Sequence, residues 1–437
     1  MDILIILVLI FLTMLFSVYK GITIVYPLSM GLIVLMLHFM RKGYSLSSLL
    51  GMIFRGTKKS LLIIQIFVLI GAITAIWRAS GTVSFIVYYG IKLMNPDFFI
   101  LSSFVLSCIV SFLLGTAFGT TGTIGIVLMV MAKSGNVNVN LLAGAVIAGA
   151  YFGDRCSPMS SSANLVATIT GTELYRNIRN MLITSIAPLT LAVIFYTLLS
   201  FSNPLTVSDN SISMEIKKHF NIDFVVIVPA LVILVLAALR VNVKISMAAS
   251  VLSGIVIAIA YQNQSFADII RYIIVGYSGG SDSFFMDIIK GGGLLSMLRV
   301  SLIVLLSFAY SGLFEETQVL KNSEAFVLRL RRRFGVFITA LLISIASASF
   351  GCTQALSIML TNQLASSMYE KEGKNKSELA LDLEDTSVVI SPLIPWNIGG
   401  AVPAATLAVG LGFIPYAFYL YMIPVTSYMI KKLKIRW

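Results

Sequence analysis

Two short stretches of this chain answer each other across roughly 230 residues. The first half carries Phe118-Gly119-Thr120-Thr121, then Asp154, then Ser157-Pro158. The second half carries Phe350-Gly351-Cys352-Thr353, then Asp385, then Ser391-Pro392. The offsets are 232, 231 and 234 residues. Each set runs in one order: a Gly/Thr break, a lone carboxylate, a Ser-Pro break. All of it is embedded in strongly apolar sequence. Interrupted helices repeated in the two halves of an apolar chain are the mark of a membrane transporter whose site lies where the breaks meet.

Composition agrees. Of 437 residues, 58% are hydrophobic and only 11% charged, with mean hydropathy +0.94. Soluble domains carry about 25% charged residues. The fold class expected is an all-α polytopic membrane protein, because lipid leaves helices and closed barrels as the structures that satisfy every backbone group. The first apolar run follows Met1-Asp2 and passes into a second with no small-residue cleavage site between, which reads as an uncleaved helix. The net charge of +12 sits in loops, which suits topology signals and gives no reason to invoke nucleic acid. Cys108, Cys156 and Cys352 are scattered, and His38 and His219 are the only histidines. Neither set has the spacing of a metal site or a disulfide framework.

Apolar runs long enough to cross a bilayer lie at 3–19, 21–40, 60–77, 181–200, 222–239, 244–261, 294–313 and 412–430. Segments 141–172 and 378–410 are long but broken, and 98–132 and 334–369 read as re-entrant hairpins. This gives about ten spans and two hairpins. Ser45, Ile53 and Gly56 match Ser265, Ile273 and Gly276, and Ser80-Gly81 matches Ser311-Gly312, with a Gly-rich insertion at 277–293 between. The expected units are a first repeat (1–180), a linking helix and external loop (181–221), a second repeat (222–411), and a terminal helix with a basic tail (412–437).

Loop charge sets the orientation. Arg41, Lys42, Arg55, Lys58 and Lys59 place 41–59 in the cytoplasm. Lys321, Arg329, Arg331, Arg332 and Arg333 place 314–333 there, and Lys371, Lys374 and Lys376 place 370–377. Lys431, Lys432, Lys434 and Arg436 keep the tail inside. Loop 201–221, with Asn203, Ser208, Asp209, Asn210 and Ser211, falls outside. Both termini are then cytoplasmic and the repeats are inverted, the arrangement that lets one site face either side alternately.

The chemistry is expected at the breaks, where unpaired N–H and C=O groups face protein, water or ligand. Candidate binding residues are Thr116, Gly119, Thr120 and Thr121 at the first hairpin tip, and Cys352 and Thr353 at the second. The broken helices add Asp154, Ser157, Ser160, Ser161 and Asn164, and Asp385, Thr386, Ser391 and Asn397. Any single Ser, Thr or Gly here also suits close helix packing. The carboxylates are sharper signals, since an acid inside a span is costly. Their plainer reading is structural, with Asp154 paired to Arg155 and Asp385 at a helix N-terminus. The expectation is that Asp385 carries an exchangeable proton, while Asp154, beside Arg155, orders the site or holds a cation. Glu315 and Glu316 read as interfacial.

The motifs resemble a known family. Ser111-Phe-Leu-Leu-Gly-Thr-Ala-Phe-Gly-Thr-Thr-Gly-Thr-Ile-Gly125 is similar to the first hairpin of NhaC-type sodium/proton antiporters. Phe152-Gly-Asp-Arg-Cys-Ser-Pro-Met-Ser160 resembles that family's Gly-Asp-Lys-x-Ser-Pro-Leu-Ser motif, and Leu383 to Asn397 resembles its second-half motif. The resemblance covers most of the chain. It implies the ion-transporter superfamily fold, and sodium and proton as the exchanged ions across a bacterial cytoplasmic membrane. No cofactor is expected. The partners expected are the lipid bilayer and a small ion or organic solute, and a homodimer is compatible with the family. Relatives that exchange small carboxylates or serve amino-acid metabolism leave an alternative: an ion-coupled exchanger of a carboxylate or amino acid. One departure bears on the choice. Where the family carries Asp-Thr-Thr-Asn, this chain has Ser161-Ser162-Ala163-Asn164. Arg155 replaces a usual lysine, and Phe118 stands where tryptophan is common. The lost acid leaves a less negative pocket. An intramembrane enzyme would need a nucleophile with a base or a metal, and no His/Cys/Asp grouping supplies one. A channel fits two broken helices in one chain less well than alternating access does.

Overall fold

With no water inside a bilayer, each segment must satisfy its own backbone, and among the described residues this chain does so by helix alone. The computed structural model describes residues 3–206, 209–239, 241–279, 284–317 and 324–433. No strand forms among them, and the one β-bridge, Tyr277 with Gly291, is isolated. Ser208, Lys321, Lys434 and Arg436, used above to orient the chain, lie outside the described residues.

By length and apolar character, six described helices can each cross a bilayer, or eight if two bent pairs each count as one span. The six are Leu46–Ala79, Pro96–Leu114, Ala117–Ser134, Leu174–Ser202, Val243–Ala260 and Leu294–Thr317. The bent pairs are Ser213–His219 with Phe224–Ala238, at 95°, and Lys376–Leu393 with Ile398–Thr406, at 51°. Two differences from the sequence expectation have physical causes. The first two apolar runs fold as the 17-residue helices Ile3–Tyr19 and Val25–Arg41. At 1.5 Å per residue each is about 25 Å long, short of a ~30 Å hydrocarbon core. The basic stretch 41–59 is not a loop: after a short turn, Ser45 caps a 34-residue helix, Leu46–Ala79, by accepting from the Ser48 N–H at 3.2 Å. Nothing in 46–59 stops a helix, since it holds no proline.

That long helix is the spine of the molecule. It runs antiparallel to Leu298–Thr317, with Arg55 paired to Glu316 and Lys59 to Glu315, both at 2.6 Å, at one end. At the other end the Gly293 N–H donates to the Gly71 carbonyl at 2.9 Å. Gly56 and Gly312 cross so closely that a Cβ on either would strike the other helix's backbone. The Gly-rich insertion separates helix Phe266–Val275 from Leu298–Thr317. Gly276, Gly291, Gly292 and Gly293 all take φ between +79° and +117° there, which an L side chain resists.

The two hairpins and two broken helices share a finer regularity. The helices Phe99–Leu114 and Val336–Gly351 both have 16 residues. They end in left-handed residues, Gly115 (φ +65°) and Cys352 (φ +54°), followed by extended Thr116 and Thr353. Asn138 and Asn375 cap the next helices, and Ser160 and Asn397 cap the halves that follow the breaks. Every one of these pairs lies 237 residues apart. Backbone geometry thus replaces the unequal sequence offsets of 231–234 with a single one. Pro158 corresponds to Pro395 in this register, and Asp154 to Ser391. The two acids are not mates.

Candidate functional site

The first hairpin turns at Gly115-Thr116, and its return limb begins at Ala117. The second turns at Cys352-Thr353, with the Thr353 hydroxyl capping Gln354–Lys371 by accepting from the Leu356 N–H at 3.1 Å. Asp154, near the end of helix Val139–Cys156, is buried between these tips. Its Oδ2 accepts from Gln354 Nε2 at 2.9 Å and from the Ser162 hydroxyl at 3.2 Å. The Ala117 N–H faces the same carboxylate. Its backbone carbonyl takes hydroxyls from Ser160 and, at 2.7 Å, Ser162. One acid therefore touches the return limb of one hairpin, the limb of the other, and the half-helix beyond its own break.

Arg155 does not pair with Asp154. Successive helical side chains diverge by about 100°, and Arg155 turns the other way, wholly buried. Its Nη2 forms an ion pair with Asp385 and donates to Thr184 at 2.8 Å. Its Nη1 donates to Ser185 at 2.5 Å and to the Met181 carbonyl at 3.1 Å. The other Asp385 oxygen accepts from Ser427 at 2.5 Å. Helices Leu174–Ser202 and Phe418–Lys432 thus clamp the pair from outside the breaks. On the latter, Tyr419 reaches Ser185 at 3.0 Å and Lys431 pairs with Asp382. Asp385 is not at a helix N-terminus either: it lies inside a π-helical segment, Glu384–Val388.

That segment exposes the most unusual group in the molecule. Glu384 is buried, and among the described residues neither carboxylate oxygen has a hydrogen-bond partner. It lies within electrostatic range of Arg155, Asp154 and Asp385. Leaving an ionised carboxylate buried with no donor costs several kcal/mol, so the group is stable as a neutral acid or with a cation against it. It lies in the π-helical turn Glu384–Val388, a distortion common at functional sites.

The other sequence candidates divide. Ser160 is a cap and Ser157 accepts from the Met159 N–H at 3.2 Å. Asn397 accepts from the Gly399 N–H and donates to the Ala348 carbonyl, both at 2.9 Å, tying the second break to its hairpin. The Cys352 carbonyl takes the Ile398 N–H at 2.9 Å. Thr120 and Thr121 return their hydroxyls to carbonyls of their own helix, at 2.9 and 3.0 Å, and Gly119 packs on Thr116. Thr386 donates to the Asp382 carbonyl at 2.6 Å, and Ser391 to the Ser387 carbonyl at 2.7 Å. Ser161 and Asn164 are exposed and do not join the buried cluster. Ser162, Gln354, Glu384 and Ser427 do, and sequence reasoning missed them. Only Glu384 carried a signal, as an acid deep inside a broken span.

A polytopic helical protein whose buried acids are gathered by hairpin tips and broken helices is built as a secondary transporter. The chain belongs to the Na+/H+ antiporter family, whose sequence profile matches residues 1–162 and 149–431. It is 30% identical over 381 residues to the Na+/H+ antiporter NhaC of Alkalihalophilus pseudofirmus, covering 84% of this chain and 81% of that one. It is 30% identical over 412 residues to NhaC of Bacillus subtilis, covering 92% and 91%. It is also 27% identical over 408 residues to the malate-2H+/Na+-lactate antiporter of Bacillus subtilis, covering 92% and 87%. The NhaC-type resemblance read from the motifs is borne out.

Proposed function

We propose that sodium and protons exchange by competing for one buried cluster, Asp154 with Glu384, while Arg155–Asp385 is a fixed structural pair. The observation that carries this reading is the unpartnered Glu384 carboxylate beside Asp154. The guanidinium neutralises Asp385. Two acids then remain with no cation of their own. A proton on Glu384 or a sodium ion held by Asp154 and nearby oxygens relieves the same charge, so either displaces the other. The partly donor-satisfied Asp154 suits the ion, and the bare Glu384 suits the proton. Asp154 keeps the cation role expected from the sequence, and the proton role moves from Asp385 to Glu384, because the arginine pairs with Asp385.

The paired landmarks 237 residues apart support two inverted repeats, about 1–180 and 222–411, rocking around this cluster by alternating access. The basic segments then face the cytoplasm, with both termini inside. In a cysteine-free background, Lys42→Cys and Lys218→Cys should label with an impermeant thiol reagent from opposite sides. Labelling from one side would remove the inverted arrangement.

Exchange itself is tested with purified protein in liposomes. A sodium gradient, with no organic solute, should drive proton flux read by an internal pH dye. Flux appearing only after malate, lactate or an amino acid is added would instead favour the carboxylate or amino-acid exchanger. That alternative is supported by the malate/lactate relative.

A further inference from the structure

A second polar site lies at the far end of the first hairpin's return limb, whose Ala117 N–H faces Asp154. The return limb of the first hairpin starts at Ala117, beside Asp154, and ends near Lys133. The half-helix Ile398–Thr406 starts at the Asn397 cap, and its last turn lies at Thr406. The two elements pack together, Gly125 against Leu407. Their far ends wall a cavity of about 100 Å³, completed by Arg78, Lys290 and Ser296. Three cations line it and, among the described residues, no Asp or Glu does. Arg78, at the end of the long helix, donates Nη1 to the Thr74 carbonyl, and its Nε has no partner. Lys133 is exposed and, among the described residues, makes no hydrogen bond or ion pair. Lys290 pairs with Asp287 at 2.6 Å.

We propose that Arg78, Lys133 and Lys290 bind a small carboxylate anion in this cavity. Arg78 and Lys133 repel each other, and a shared anion converts that repulsion into two charge-assisted contacts. A planar guanidinium fits a carboxylate through two parallel N–H donors. The volume is that of about three liquid waters at ~30 Å³ each, which limits the occupant to a few heavy atoms. The occupant bridges the long helix, the return limb and the Gly-rich insertion, and so ties the limb that starts beside Asp154 to the long helix.

The test uses the purified full chain in detergent at constant sodium and ionic strength, replacing chloride stepwise with L-lactate. The melting temperature should rise saturably with lactate. In Lys133→Gln, whose side chain is exposed, and in Arg78→Gln, the half-saturating concentration should rise about tenfold or more. No saturable rise, or the same rise in the Arg78→Gln/Lys133→Gln double variant, would overturn the site. An equal response to added chloride alone would overturn the carboxylate assignment. Sodium-driven proton flux of the unmodified protein without lactate reports separately on the exchange reading.

Discussion

Asp385→Asn should destabilise the protein strongly, because it strips a buried ion pair of its anion. The substitution leaves the Arg155 guanidinium wholly buried with its counter-ion gone. Breaking a buried pair from one side costs about 3–5 kcal/mol, because the surviving charge is uncompensated. Arg155→Met should be similarly harmful, since Asp385 then keeps only Ser427. The double variant Arg155→Met/Asp385→Asn should be more stable than either single one. It removes both charges, and Ser185 keeps its own bonds to the Met181 carbonyl and to Tyr419. Thermal unfolding of the four proteins in one detergent measures this cycle. A well-folded Asp385→Asn protein with the parent melting temperature would show that Asp385 is not a fixed partner, and would return it to the role of proton carrier that its position first suggested.

The sequence made the large features legible because their causes are local. Glycine, proline and capping residues set the helix interruptions at 115–116 and 352–353 and both breaks within a few residues of where they fold. The lone acids were legible because lipid penalises them wherever they point. Three things were not legible, and each depends on distance or direction. The partner of Arg155 lies 230 residues away, and adjacency to Asp154 suggested the wrong one. The repeat register was drawn to Ser-Pro and Phe-Gly letters, whereas the backbone aligns Ser157-Pro158 with Ile394-Pro395. Position 161 drew notice for its missing acid, yet Ser162, one residue on, is the side chain that reaches Asp154. A one-residue step around a helix decides which face a side chain takes, and motif letters do not record it.

Glu384→Gln should abolish sodium-driven proton flux while leaving the fold intact. Glutamine fills the same volume without a charge, and the carboxylate it replaces has no hydrogen bond to lose. Stability should therefore match or exceed that of the parent, in contrast to Asp385→Asn. Asp154→Asn keeps an acceptor for Gln354 and Ser162, so it too should fold, but it should weaken sodium binding at least tenfold. A variant that folds and binds sodium but no longer exchanges it for a proton separates the two roles.

Proton release on sodium binding tests the shared cluster most directly. Purified protein in weakly buffered detergent, with a pH dye, is mixed with sodium chloride and, as control, choline chloride. The parent should release protons saturably with sodium alone. Glu384→Gln should bind sodium and release almost none, and Asp154→Asn should need far more sodium for the same release. Undiminished proton release from a folded Glu384→Gln protein would contradict the account and place the exchanged proton on another group.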